Sequence, residues 1–125
     1  MDKLNLLATY KNKDTFRYVS DIMENLKKIG PYKIILFGSY ANDEATVDSD
    51  IDLIVVTNDD YFPKNYKEKS DIYLRVSNML SEVSGKISID LIVYTKPMYK
   101  KFNELGSLFS KEIMQKGVVL YEVDN

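Results

Sequence analysis

The spacing of apolar residues along the chain predicts helices that alternate with short strands. Apolar residues three or four positions apart indicate amphipathic helices, and short, nearly continuous apolar runs indicate buried strands. The predicted elements are a short helix or loosely attached arm at 1–13, helices at 14–29 and 72–83, one or two helices at 98–116, and strands at 33–37, 51–57, 87–94 and 118–121. This order predicts an α/β or α+β domain, in which helices flank one small mixed β-sheet and cover it mainly on one face.

Length and composition narrow the class of protein. The 125 residues are 45% hydrophobic and 29% charged, which predicts one soluble, compact domain across residues 1–125. The net charge of −2 provides no basic surface for general nucleic-acid binding, so nucleic acid is not expected as a partner. No apolar run approaches the length of a membrane span, and we expect a cytoplasmic protein without a membrane partner.

The chain contains neither cysteine nor histidine. Thiol nucleophiles, disulfides and imidazole bases are therefore excluded. A metal site would have to be built from oxygen ligands, which favours Mg²⁺ or Mn²⁺ over zinc or copper.

Three aspartates occupy equivalent places in two predicted strands. Asp50 and Asp52 are two residues apart, so on a strand both project from one face. Asp52 and Asp90 each hold the second position of the sequence IDLIV. If the two strands are neighbours, the three carboxylates converge, and such an arrangement is costly unless cations lie between them. The pattern predicts a site for two Mg²⁺ ions of the kind used in phosphoryl transfer. The alternative is that Asp50 and Asp52 are solvated turn residues and Asp90 protects an edge strand.

A Gly-Ser pair follows the first predicted strand. Gly38 allows backbone amides to approach a phosphate closely, and the Ser39 hydroxyl can donate a hydrogen bond to it. A helical turn expected from Tyr40 to Ala45 would direct its positive N-terminal end at the same anion. We therefore expect Gly38 and Ser39 to bind the phosphates of a nucleotide, although Ser39 could also cap the turn.

The motif GSYA at 38–41, the motif DID at 50–52 and Asp90 together resemble the nucleotidyltransferase superfamily that includes DNA polymerase beta. The resemblance is closest to its small members, the minimal nucleotidyltransferase (MNT) domains, and covers most of the chain. It implies a polymerase beta palm-like fold and the magnesium-dependent transfer of a nucleoside monophosphate, most often AMP from ATP, to a hydroxyl acceptor. In that family the Ser contacts the triphosphate, the first two Asp bind both metals, and the third Asp helps to activate the attacking hydroxyl. By position these roles fall to Ser39, to Asp50 and Asp52, and to Asp90.

The resemblance also implies partners. Many small members are similar to antitoxins that neutralise a helical HEPN-domain toxin by attaching AMP to a tyrosine. A HEPN-domain toxin or a separate substrate-binding subunit is therefore an expected partner, and a homodimer is also compatible with the chain. A fragment of an aminoglycoside-type enzyme is a further alternative, against which the short chain argues.

One stretch departs from the family pattern. Active small members often carry Arg-Gly after Gly-Ser-x-Ala, whereas this chain has Asn42-Asp43-Glu44. A phosphate-binding guanidinium is missing there, and acidic groups would repel a triphosphate. Lys33, Lys64 and Lys67 are candidates to compensate. The alternative is a catalytically weak or inactive binding module that keeps the fold and neutralises a partner by occlusion.

Overall fold

The computed structural model describes residues 13–42, 44–46 and 48–123. Residues 1–12, where a short helix or arm is expected, lie outside this part of the chain. The elements are helix α1 (Lys13–Lys27), strand β1 (Lys33–Phe37), strand β2 (Ile51–Val56), helices α2 (Tyr66–Met79) and α3 (Ser81–Ser84), strand β3 (Ile89–Tyr94), helices α4 (Lys96–Leu105) and α5 (Leu108–Lys116), and strand β4 (Val118–Glu122). None of the helices in the described ranges has the length and apolar character needed to cross a membrane.

All four predicted strands are confirmed, with small differences at their ends. The helix predicted at 72–83 begins earlier, at Tyr66, because the side chain of Asn65 accepts a hydrogen bond from the backbone amide of Glu68 and caps the helix. The C-terminal helical region divides into two helices. Gly106 ends the first in a left-handed conformation, and the Ser107 side chain caps the second.

The strands form one mixed sheet with the order β3-β2-β1-β4. Strand β1 is antiparallel to both β2 and β4, whereas β2 and β3 are parallel. Because β1 runs opposite to β2 and β3, its carboxyl end lies at the same end of the sheet as their amino ends. We call this the Asp end of the sheet, since Asp52 and Asp90 lie there, and the other the far end.

Helices cover both faces of the sheet. The larger core lies between one face and the first helices, and its buried members are Val19, Ile22, Met23, Leu26, Ile34, Leu36, Tyr40, Ala41, Ile51, Leu53, Val55, Val76, Leu80, Val83 and Leu120. On the opposite face, Ile35, Ile54 and Val56 pack with Ile113 of α5. The partly buried side chains around this smaller core are Tyr32, Phe37, Ile92, Tyr94, Tyr99, Phe102, Phe109 and Val119. The expectation that helices cover mainly one face is therefore wrong, because the aromatic residues of α4 and α5 bury the second face.

Candidate active site

The ends of three strands meet at the Asp end, and two of them, β2 and β3, carry acidic side chains. Phe37, the last residue of β1, is the Cα partner of Asp52, and Asp52 is the Cα partner of Asp90. Partners in register present their side chains on the same face of a sheet. Asp52 and Asp90 therefore lie side by side on the face that α4 and α5 cover, and Asp50 precedes β2 by one residue.

The electrostatics of Asp52 show that the three carboxylates interact. Burial raises the pKa of the Asp52 carboxyl, and the negative charges of Asp90 and Asp50 raise it further. A hydrogen bond between Asp52 and Asp90 acts in the same direction. Asp52 is half-buried, whereas Asp50 and Asp90 are exposed. The site thus consists of one half-buried carboxylate, that of Asp52, and two solvent-exposed carboxylates, those of Asp50 and Asp90.

These carboxylates are suited to a divalent cation that a phosphate helps to hold. Within the ranges that the structure describes, no three acidic side chains are close enough to form a ready-made metal-ligand set. Magnesium, however, commonly keeps one or two protein carboxylates and takes its remaining ligands from water and substrate phosphates. The oxygen-only donors and the mutual repulsion at Asp52 fit such a cation.

Gly38 places the backbone of the β1–β2 connection directly against Asp52. Its φ of +73° lies in the left-handed region, and a Cβ added there would be 2.1 Å from Oδ2 of Asp52. Any other residue would meet both the strained backbone and this contact. A phosphate held by the backbone around Gly38 would therefore lie beside the carboxylates.

A hydrogen-bonded turn, and not a helix, follows Gly38. The amide of Ala41 donates to the carbonyl of Gly38 at 3.1 Å, and the amide of Glu44 donates to the carbonyl of Ser39 at 2.9 Å. The expected helical turn from Tyr40 to Ala45 is therefore wrong in the described residues. Since the side chains of Tyr40 and Ala41 are buried in the larger core, this segment is tied down by packing and contributes no helix dipole.

The lysines proposed to replace the missing guanidinium lie elsewhere. Lys33 is the first residue of β1, at the far end, and its Nζ pairs with Glu122 at 3.1 Å. Lys64 and Lys67 lie where the chain leaves the far end and enters α2. The prediction that one of these lysines replaces the missing guanidinium is therefore wrong, because the direction of the strands places them at the opposite end of the sheet from Gly38. Asn42 and Glu44 are exposed, and Asp43 lies outside the described residues.

The sequence does not single out Phe37 as part of the site. Its ring lies on the same face as Asp52 and meets the ring of Phe109 edge to face, with centroids 5.5 Å apart. The only sequence feature that could have indicated its role is its position immediately before Gly38. Phe37 forms an apolar wall on one side of Asp52.

Comparison with known families agrees with this geometry. Residues 17–125 match the family model described as polymerase beta, nucleotidyltransferase. The chain belongs to this nucleotidyltransferase family. The nucleotidyltransferase is also 32% identical over 89 residues to a predicted protein adenylyltransferase of Methanocaldococcus jannaschii, a match that covers 71% of this chain and 77% of the relative.

Solved structures share the fold. A predicted nucleotidyltransferase from Sulfolobus solfataricus aligns with a TM-score of 0.58 and 16% identity, covering 88% of this chain and 85% of that one. A toxin–antitoxin crystallised with AMP-PNP aligns with a TM-score of 0.53 and 17% identity, covering 84% and 73%. The toxin–antitoxin MntA–HpeT, as a double Asp-to-Glu mutant, aligns with a TM-score of 0.50 and 16% identity, also covering 84% and 73%. At these identities the likeness establishes the nucleotidyltransferase fold alone.

Replacing Gly38 by alanine tests the close approach to Asp52. Gly106→Ala is the matched control, because Gly106 has a φ of +61° and a Cβ there would meet nothing within 4 Å. Both variants should lose about 1 kcal/mol or more of unfolding free energy from backbone strain. Gly38→Ala should lose about 1–3 kcal/mol more from steric overlap. Denaturant unfolding of the two variants measures the difference, and equal losses would contradict the contact.

Replacing Asp52 by asparagine should stabilise the metal-free protein at neutral pH. The folded state raises the pKa of Asp52 above its unfolded value, so its favourable contribution is complete below the unfolded pKa and is lost as the pH rises through the folded pKa. Asp52→Asn should therefore increase the unfolding free energy at pH 7, and the gain should disappear at strongly acidic pH. Asp48→Asn, an exposed change in the preceding loop, is the control. Unfolding in the presence of a chelator at several pH values measures the effect; a gain that persists at acidic pH would argue against the ionised Asp52 carboxylate as its cause.

Proposed function

We propose that this nucleotidyltransferase transfers AMP from ATP to a hydroxyl group of a partner protein in a magnesium-dependent reaction. The observation that carries the proposal is the alignment of Asp52 with Asp90 across β2 and β3, directly beside the backbone of Gly38. In the proposed complex this arrangement would bring the phosphates next to the cations. Little covalent help is then needed, because positioning and neutralisation of charge supply most of the catalysis in phosphoryl transfer.

Asp50, Asp52 and Asp90 would hold two Mg²⁺ ions in the proposed complex. When bound, these ions would neutralise the charge on the phosphates and on the attacking and leaving oxygens. The repulsion at Asp52 supports this assignment, since a cation between the carboxylates would offset the negative charges of Asp90 and Asp50, which add to the effect of burial in raising the pKa.

The remaining roles follow from position and exposure. Backbone amides around Gly38 and the hydroxyl of Ser39 would donate hydrogen bonds to the phosphate oxygens. The acceptor oxygen would attack the α-phosphorus, the bond to the β-phosphate oxygen would break, and pyrophosphate would leave. Asp90, exposed at the start of β3, would take the acceptor proton, a role that no imidazole can fill in this chain.

The relatives support AMP as the transferred group and a protein as the acceptor. The Methanocaldococcus jannaschii relative is a predicted protein adenylyltransferase, and one structural neighbour is a toxin–antitoxin bound to the ATP analogue AMP-PNP. The two aspartates changed in the MntA–HpeT mutant are two positions apart, as Asp50 and Asp52 are. We therefore propose an antitoxin role with a HEPN-domain toxin as acceptor, in the cytoplasm, where ATP is abundant.

A second candidate function is partner binding without chemistry. Two observations favour it. The exposed residues Asn42 and Glu44 stand where active members often carry a basic side chain, and Lys33, Lys64 and Lys67 lie at the far end. Without a guanidinium at position 42, a triphosphate would lose part of its electrostatic stabilisation. The protein would then neutralise a toxin by covering it.

Transfer of labelled AMP to a partner protein tests the enzymatic function. Incubation of the nucleotidyltransferase with Mg²⁺, ATP labelled at the α-phosphate and a HEPN-domain toxin should yield a labelled toxin. Asp52→Asn should reduce the rate by about 100-fold or more, since it removes charge at the reacting centre. Asp71→Asn, an exposed change on α2, should leave the rate unchanged. Equal labelling by wild type and Asp52→Asn would rule out the proposed site.

Calorimetry with MgATP separates the enzyme from the binding module. An active enzyme should bind MgATP with a dissociation constant below about 1 mM, the upper part of the usual range for enzyme substrates. The binding should weaken in Asp50→Asn, because that carboxylate would help to hold the cation. Neutralisation of the toxin by wild type and Asp50→Asn alike, with no heat of MgATP binding, would favour occlusion.

A further inference from the structure

A cavity lies at the far end of the sheet, away from the carboxylates. Its volume is about 510 Å³, within the usual range for small-molecule sites. The lining side chains used below are Tyr32, Lys33, Lys96, Tyr99, Lys100 and Asn103. Lys33 is the Cα partner of Val56, four residues along β2 from Asp52, which corresponds to about 13 Å. The cavity is therefore separate from the proposed catalytic site.

Two lysines of the cavity are available for an anion. Lys96 and Lys100 are four residues apart on α4, so they lie on the same side of the helix. The ion pairs seen among the described residues include neither of them, whereas Lys33 is paired with Glu122. With Asp60 and Glu122 also in the lining, three ammonium groups face two carboxylates. Among the described residues that line it, the cavity therefore has a surplus of one positive charge.

Asn103 lines the same space and carries an unsatisfied acceptor. Its side-chain oxygen Oδ1 is buried and has no hydrogen-bond partner in the described part of the chain. Asn103 also lines an adjoining cavity of about 260 Å³, together with Lys33 and Tyr99. A buried acceptor without a donor costs free energy, so a ligand that supplies an N–H or O–H group gains affinity there.

The aromatic rings of Tyr32 and Tyr99 line the cavity. Nζ of Lys96 lies 5.8 Å from the ring centroid of Tyr32, and Nζ of Lys33 lies 5.3 Å from that of Tyr99. Cations next to aromatic rings form a surface on which a planar group and its attached anion can both be bound.

We propose that this cavity binds a nucleoside monophosphate whose base carries an amino group. Lys96 and Lys100 contact the phosphate, the base lies against Tyr32 and Tyr99, and its amino group donates to Oδ1 of Asn103. Inorganic phosphate supplies the anion but no planar ring. The proposal does not depend on the transfer reaction, since none of these residues belongs to the carboxylate site.

Titration with AMP tests the proposal on the full chain, with EDTA present so that no cation occupies the carboxylate site. Wild type should bind AMP saturably, with a dissociation constant of about 1 mM or tighter. The double variant Lys96→Gln and Lys100→Gln should weaken binding about tenfold or more, because two charge-assisted contacts are lost. Lys111→Gln, an exposed change on α5, and Asp52→Asn should both bind as wild type does. Circular dichroism and thermal unfolding establish that each variant is folded.

Comparison of ligands tests the base contact. UMP, whose base has no amino group, should bind several-fold more weakly than AMP, and Asn103→Leu should remove most of that preference. The assignment is overturned if AMP does not saturate, if inorganic phosphate competes as well as AMP does, or if Asp52→Asn removes binding while the double lysine variant keeps it. If Asn103→Leu leaves the preference unchanged, the amino-group contact is wrong.

Discussion

The structure depends above all on the in-register pairing of β2 with β3, which holds Asp52 and Asp90 against one another despite their repulsion. The alternate positions of β2 stabilise this arrangement, because Ile51 and Leu53 are fully buried in the larger core. Burial of such side chains contributes about 1.5–3 kcal/mol each. The core on one face thus fixes the acidic side chains on the other.

The smaller core connects the two ends of the sheet, which differ in their chemistry. Aromatic rings run across this face from Tyr99 to Phe102, then to Phe109 and Phe37, with successive centroids 5.5–6.2 Å apart. Phe37 borders Asp52, and Tyr99 borders the cavity at the far end. Helices α4 and α5 therefore contact the surroundings of both sites. A group bound at either proposed site would contact the same layer of aromatic side chains.

Much of the fold and the acidic site could be predicted because both follow from local patterns. Alternation along IDLIV predicts a strand with one buried face, and its repetition around Asp52 and Asp90 predicts equivalent places in neighbouring strands. The positions of the lysines depend on strand direction, which no single segment reveals. The turn after Gly38 likewise depends on the burial of Tyr40 and Ala41. The second face is covered through contacts between aromatic residues that are far apart in the sequence. No short sequence pattern predicts such contacts.

The matched register also has a consequence for the folding of the chain. A shift of β3 by a single residue against β2 would turn every side chain to the other face. Asp90 would then enter the larger apolar core, where an unpaired carboxylate is strongly disfavoured, and Leu91 would face the acidic site. Mispaired chains are thus penalised by the same residue that is proposed to act in the reaction. Asp90 therefore also favours the correct register of its own strand.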